Sequence, residues 1–86
     1  MIIPDDRFNN AADRAQLEGR IGTILKATRE DSDISQKDLA TRMGWTRNVI
    51  ANLETGRRTA CIVDFVMISR ALQIEPERLL RRILQW

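Results

Sequence analysis

Residues 35–58 read SQKDLATRMGWTRNVIANLETGRR, the pattern of two short helices joined by a tight turn. Ser35 suits an N-cap, because its hydroxyl accepts from the free amides of a first helical turn. Leu39, Ala40 and Met43 follow at i, i+1 and i+4, one helix face. Gly44 takes a left-handed conformation without a Cβ penalty and stops this helix. Thr46 is expected to cap the second helix, which runs to about Thr55 and is closed by Gly56. Its inward stripe is Val49, Ile50 and Leu53. Its other face carries Arg47, Asn48, Ala51 and Asn52.

That outer face points to a ligand. Arg bonds bidentately to guanine O6 and N7, and Asn to adenine N6 and N7. In a helix-turn-helix the N-terminal residues of the second helix meet base edges in the major groove, while the first helix crosses the backbone. Arg47 and Asn48 occupy that first turn, and Asn52 lies one turn further on. These three are the candidate base readers.

The stretch resembles the helix-turn-helix of the lambda repressor and Cro family, also called the XRE family. The matching positions are Gln36, Leu39, Ala40, Gly44, Ile50, Leu53, Glu54 and Gly56, and the resemblance extends over about Leu17 to Leu80. It implies that Ala40 is the helix crossing point and that Ile50 and Leu53 fix the second helix on the core. It also implies a structural ion pair, since Arg29 and Glu54 fall where the family pairs an Arg with a Glu. Gln36 falls where the family places a polar residue against phosphate, and Arg57 and Arg58 where its loop touches the backbone. Trp45 departs from the small aliphatic residue usual after the turn glycine. Cys61 departs from the family's Ser or Pro.

The 86 residues are enough for one small domain and leave no room for a ligand-binding or cleavage domain. One cysteine permits no internal disulfide and fits a reducing cytoplasm. No apolar run reaches the roughly 18 residues of a membrane span, and MIIPDDRFNN lacks the basic start and apolar core of a signal peptide. The charge is uneven: residues 1–33 hold five basic and seven acidic side chains, residues 34–86 nine and five. The basic excess thus accompanies the motif, as phosphate binding requires. The chain has no histidine, which excludes Cys/His metal sites and histidine acid–base chemistry. It also lacks a glycine-rich phosphate loop or nucleophile elbow. No enzymatic activity, cofactor or metal is expected.

Residues 1–12 read as a flexible N-terminal segment, with Pro4, Asp5, Asp6, Asn9 and Asn10 favouring irregular structure. Residues 13–86 read as the DNA-binding domain. Its first helix starts near Ala11 and ends near Arg29 or Glu30, with an apolar stripe of Leu17, Ile21, Ile24 and Leu25. Gly19 and Gly22 mark either close packing or tolerated surface. Glu30 to Asp33 reads as a loop. A fourth helix, about Ile62 to Leu72, is dense enough in apolar residues to be buried on more than one side. Cys61 at its start reads as a buried or inert small side chain. Pro76 opens a fifth helix, with Leu79, Leu80, Ile83 and Leu84 as its stripe.

The expected fold is therefore all-α, a five-helix domain of the lambda-repressor type. The expected function is that of a cytoplasmic, sequence-specific DNA-binding regulator, a dimeric repressor reading a palindromic operator in double-stranded DNA. Thr46, Gln36, Arg57 and Arg58 are the candidate backbone contacts, with Lys37 and Arg42 lesser ones. Leu84 and Trp86 are the candidate dimer interface. A phage or plasmid repressor and a restriction–modification controller share this design. So does an antitoxin that holds a toxin through an apolar end. A protein-interaction module that had lost DNA would instead show acidic or apolar residues on the recognition face.

Overall fold

A computed structural model describes residues 11–85, and among them the chain forms five α-helices. They are α1 (Ala11–Asp31), α2 (Gln36–Met43), α3 (Arg47–Glu54), α4 (Ile62–Ala71) and α5 (Pro76–Gln85). Each inner face supplies one or more residues to a common core: Ile24 and Leu25 from α1, Leu39 and Ala40 from α2, and Ile50 and Leu53 from α3. Ile68 comes from α4, and Leu79 and Ile83 from α5. Ile34 and Leu72 complete it from the connections.

The helices end alike. In α1, α2, α3 and α4 a left-handed residue follows the last turn: Asp33 (φ 56°), Gly44 (φ 71°), Gly56 (φ 78°) and Gln73 (φ 58°). The residue after each one donates its amide five residues back, from Ile34 to Arg29 O, Trp45 to Ala40 O, Arg57 to Asn52 O and Ile74 to Ser69 O. This is the Schellman arrangement, which satisfies carbonyls that the helix leaves open. Ile34, Trp45 and Ile74 each pack on the core as they leave the turn, whereas Arg57 is exposed.

Two arginines tie helices together from outside. Arg82 of α5 donates to Thr28 Oγ1 (2.7 Å) and pairs with Asp31 Oδ2 (3.1 Å). Arg42 of α2 donates to Ala71 O (2.7 Å), a carbonyl at the end of α4. A cation there also complements the negative end of the helix.

Several expectations need correction. Glu30 and Asp31 are helical, so the first connection starts later than the acidic run suggested. The expected irregular segment at 1–12 lies outside the described residues except for Ala11 and Ala12, which open α1. α4 is not buried on several sides: Ile62 is 74% exposed, Val63 64% and Met67 44%. Only Ile68 and Ser69 within it are buried, because α4 meets the rest of the domain along one face. The α5 stripe divides in the same way, with Leu79 and Ile83 buried and Leu80 and Leu84 exposed. Leu17 is likewise exposed near the start of α1.

Cys61 is exposed rather than buried. Its sulfur accepts from the Asp64 amide while the Asp64 carboxylate accepts from the Cys61 amide, both at 3.4 Å, a reciprocal capping box.

Candidate nucleic-acid interface

The interface is built by seating a short helix on a rigid one. Ser35 caps α2 by accepting from the Asp38 amide at 3.0 Å. Gly44 turns the chain, and α3 is pressed home by Ile50 and Leu53, which are 1% and 3% exposed. α1 meets the end of α3 at Gly22. A Cβ at that position would lie 2.6 Å from both the Leu53 and Glu54 carbonyl oxygens. Of the two readings of Gly22, close packing is therefore the one observed.

The ion pair implied by the resemblance is present. Arg29 Nε meets Glu54 Oε2 at 2.7 Å, with the two side chains 9% and 3% exposed. Arg29 also donates to Glu54 Oε1 (3.2 Å) and to Ile34 O (2.7 Å). The hydrogen bond with Glu54 raises the Arg29 pKa, against the opposing effect of burial. The pair joins α1, the α1–α2 connection and the end of α3 in one buried polar unit.

With its inner side fixed in this way, α3 turns Arg47, Asn48 and Asn52 to solvent, and Ala51 is half-buried between them. Val49 is half-buried and packs on the core. Thr46 holds the N-cap position, but its side chain makes no capping hydrogen bond. The expected hydroxyl cap is thus not formed, and the side chain is exposed. Lys37 is exposed at the start of α2, as are Arg57 and Arg58 beyond α3. Arg42 is engaged with α4, which weakens its case as a phosphate contact.

Three contacts were not legible in the sequence. The Arg58 guanidinium lies over the Trp45 ring, 5.6 Å from its centre, within the range of a cation–π contact. Trp45 is half-buried, with one side on the core. Gln36 donates to Glu54 Oε1 (2.9 Å) and accepts from Arg47 Nε (3.1 Å). These pairs are 18 and 11 residues apart in sequence, and no local pattern announces them.

Leu84 is exposed on α5, and Trp86 lies outside the described residues.

Comparison with known proteins agrees with this geometry. The helix-turn-helix family model matches residues 25–79. The restriction-modification controller protein C.AhdI from Aeromonas hydrophila is 32% identical, with a TM-score of 0.69, covering 76% of this chain and 97% of that one. An XRE-family like protein from Pseudomonas syringae shares the fold at 20% identity, with a TM-score of 0.79 and coverage of 94% and 96%. The clp gene regulator ClgR from Corynebacterium glutamicum also shares it at 20% identity, with a TM-score of 0.76 and coverage of 80% and 90%. A search of curated proteins finds no match. The chain belongs to the helix-turn-helix family of lambda-repressor and Cro (XRE) type, a family of DNA-binding transcription regulators.

Proposed function

We propose that this regulator is a dimeric repressor that reads a palindromic operator, in the manner of a restriction–modification controller or a small phage or plasmid repressor. The observation that carries the reading is the outer face of α3, where Arg47, Asn48 and Asn52 stand exposed on a helix whose other side is fixed. Arg47 and Asn48 reach base edges, and Asn52 reads a base or holds a phosphate. Thr46, Gln36, Lys37, Arg57 and Arg58 contact the backbone around them. The likeness to C.AhdI, a controller protein by name, favours the controller among the biological roles.

The dimer surface is assigned to the apolar side of α4 and α5 and the start of α1. Ile62, Val63, Met67, Leu80 and Leu84 are exposed there together with Leu17. An open apolar groove of ≈ 260 Å³ runs among Leu17, Ile62, Phe65, Leu80 and Leu84. Contiguous exposed apolar groups of this kind mark protein–protein contacts, and a two-fold axis lets one patch serve both partners. The surface extends the Leu84 and Trp86 assignment to α4. A two-fold dimer then presents two recognition helices to half-sites about 34 Å apart.

The test is binding to the DNA upstream of the protein's own gene against a scrambled duplex at two salt concentrations, with sedimentation run alongside. Preference for the upstream duplex that survives the higher salt, from a protein that sediments as a dimer, is the expected result. Equal, salt-sensitive binding to both duplexes removes autoregulation and leaves only phosphate contacts. A monomer at tens of micromolar removes the homodimer and leaves the apolar face for another protein, such as a toxin.

A further inference from the structure

Trp45 and Arg58 flank α3 at opposite ends. Trp45 precedes the Thr46 N-cap, and Arg58 follows the left-handed Gly56 turn. Their side chains nevertheless meet, with the guanidinium carbon 5.6 Å from the centre of the Trp45 ring. The ring is a fixed surface. Trp45 donates its amide to Ala40 O at 2.8 Å and packs on the core while half-buried. The backbone under Arg58 is fixed as well. The Arg57 and Arg58 amides both donate to Asn52 O, at 2.9 and 3.1 Å. Thr59 Oγ1, next in the chain, donates to Glu18 Oε1 of α1 at 3.2 Å. What freedom this loop keeps is therefore mostly that of its side chains.

The ring restrains Arg58 without using up its donors. A guanidinium over a ring face is attracted through its charge, and its five N–H donors lie in its own plane. Among the described residues the Arg58 side chain takes part in no hydrogen bond or ion pair. Its donors thus stay open to an anion while the position of the group is narrowed. Immobilising a long side chain on binding costs conformational entropy, and a side chain already held loses less. A small aliphatic residue, usual at position 45 in the family, offers a guanidinium no such surface. Arg57 is a control in the same loop, exposed and with no ring among the described residues against it.

We infer that Trp45 is a positioning residue that holds Arg58 ready for a phosphate of the DNA backbone. This rests on Arg58 being a backbone contact, as proposed for the function. The ring then adds affinity for DNA of any sequence and no base preference.

The experiment measures binding of the whole chain to a mixed-sequence DNA duplex at several salt concentrations. The variants are Trp45→Leu, Arg58→Ala and Arg57→Ala, and Trp45→Leu combined with each arginine change, with a thermal melt of every one. Trp45→Leu is expected to weaken binding roughly two- to fivefold, the equivalent of an exposed cation–π contact. Added to Arg58→Ala it is expected to cost nothing further, whereas added to Arg57→Ala it costs its full amount. Trp45→Phe, which keeps a ring, is expected to retain most of the wild-type affinity. Trp45→Met, which fills apolar space without a ring, takes the place of Trp45→Leu if that variant unfolds. A loss from Trp45→Leu that is as large with Arg58→Ala as without it shows that the ring acts only by seating the helices, and overturns the inference. Unchanged or tighter binding by Trp45→Leu overturns it too, because the ring is then idle or holds Arg58 away from the phosphate. An Arg58→Ala protein with the affinity and salt dependence of wild type overturns the backbone contact itself, and the role of Trp45 with it. A wild type that binds no duplex at any salt concentration removes DNA binding as a whole.

Discussion

α3 and α4 are short helices of eight and ten residues in one small domain, and they treat their exposed sides in opposite ways. α3 fixes its inner side and turns polar groups outward: Arg47, Asn48 and Asn52 are exposed around a half-buried Ala51. α4 closes its own N-terminus with the Cys61–Asp64 capping box and turns Ile62, Val63 and Met67 outward. A polar outer face can gain from a charged partner, whereas an exposed apolar face loses free energy until another apolar surface covers it. The same core therefore carries two exposed surfaces of different chemistry, one polar and one apolar.

The contrast can be broken most severely from inside. Glu54, at the end of α3, is bonded to Arg29 and Gln36 together. Glu54→Ala leaves the Arg29 guanidinium in a pocket where it is 9% exposed at the side chain. Removing one partner of a buried pair costs about 3–5 kcal/mol, so chemical denaturation should show a loss of that size. A loss below ~1 kcal/mol would mean that apolar packing alone seats α3.

A smaller effect is expected on the outer face. Arg47→Ala is expected to leave the melting temperature near that of wild type and to weaken specific DNA binding by about 1–3 kcal/mol, relaxing preference at one base pair. Titration of operator variants measures both. Arg58→Ala is predicted to act differently, because it lies beyond the helix and over Trp45. It should weaken all sequences alike and reduce the salt dependence by roughly one phosphate. A change in base preference with Arg58→Ala would move it from the backbone contacts to the readers.

What the sequence disclosed follows from what is local. Helix spacing, Ser35, Gly44 and Gly56 are signals within a few residues of the structure they produce, and they placed α2 and α3 correctly. The Arg29–Glu54 pair came only through family resemblance, since the partners lie 25 residues apart. Asp33 and Gln73 take the same left-handed turn as the glycines without announcing it. Local amide bonds five residues back and the packing of Ile34 and Ile74 on the core hold those turns, and the packing is tertiary. The apolar density of α4 gave the amount of hydrophobic surface but not its direction. Density predicts burial only where other elements cover it, and among the described residues one side of α4 is left exposed.

The smallest predicted effect bears most directly on how α3 differs from its neighbours. Ser35 and Cys61 each accept an amide from their own helix, at 3.0 and 3.4 Å, whereas the Thr46 hydroxyl accepts none. Loss of a formed cap costs about 1 kcal/mol, so Ser35→Ala should lower stability by about that much. Thr46→Ala removes no such bond and should cost only a few tenths of that, while weakening DNA binding if the hydroxyl serves a phosphate instead. A helix N-terminus left open in the free protein keeps its positive end available to an anion. Parallel denaturation of the two variants decides the matter. Equal losses would show that Thr46 caps α3 in solution, and the open terminus would no longer distinguish α3 from α2 and α4.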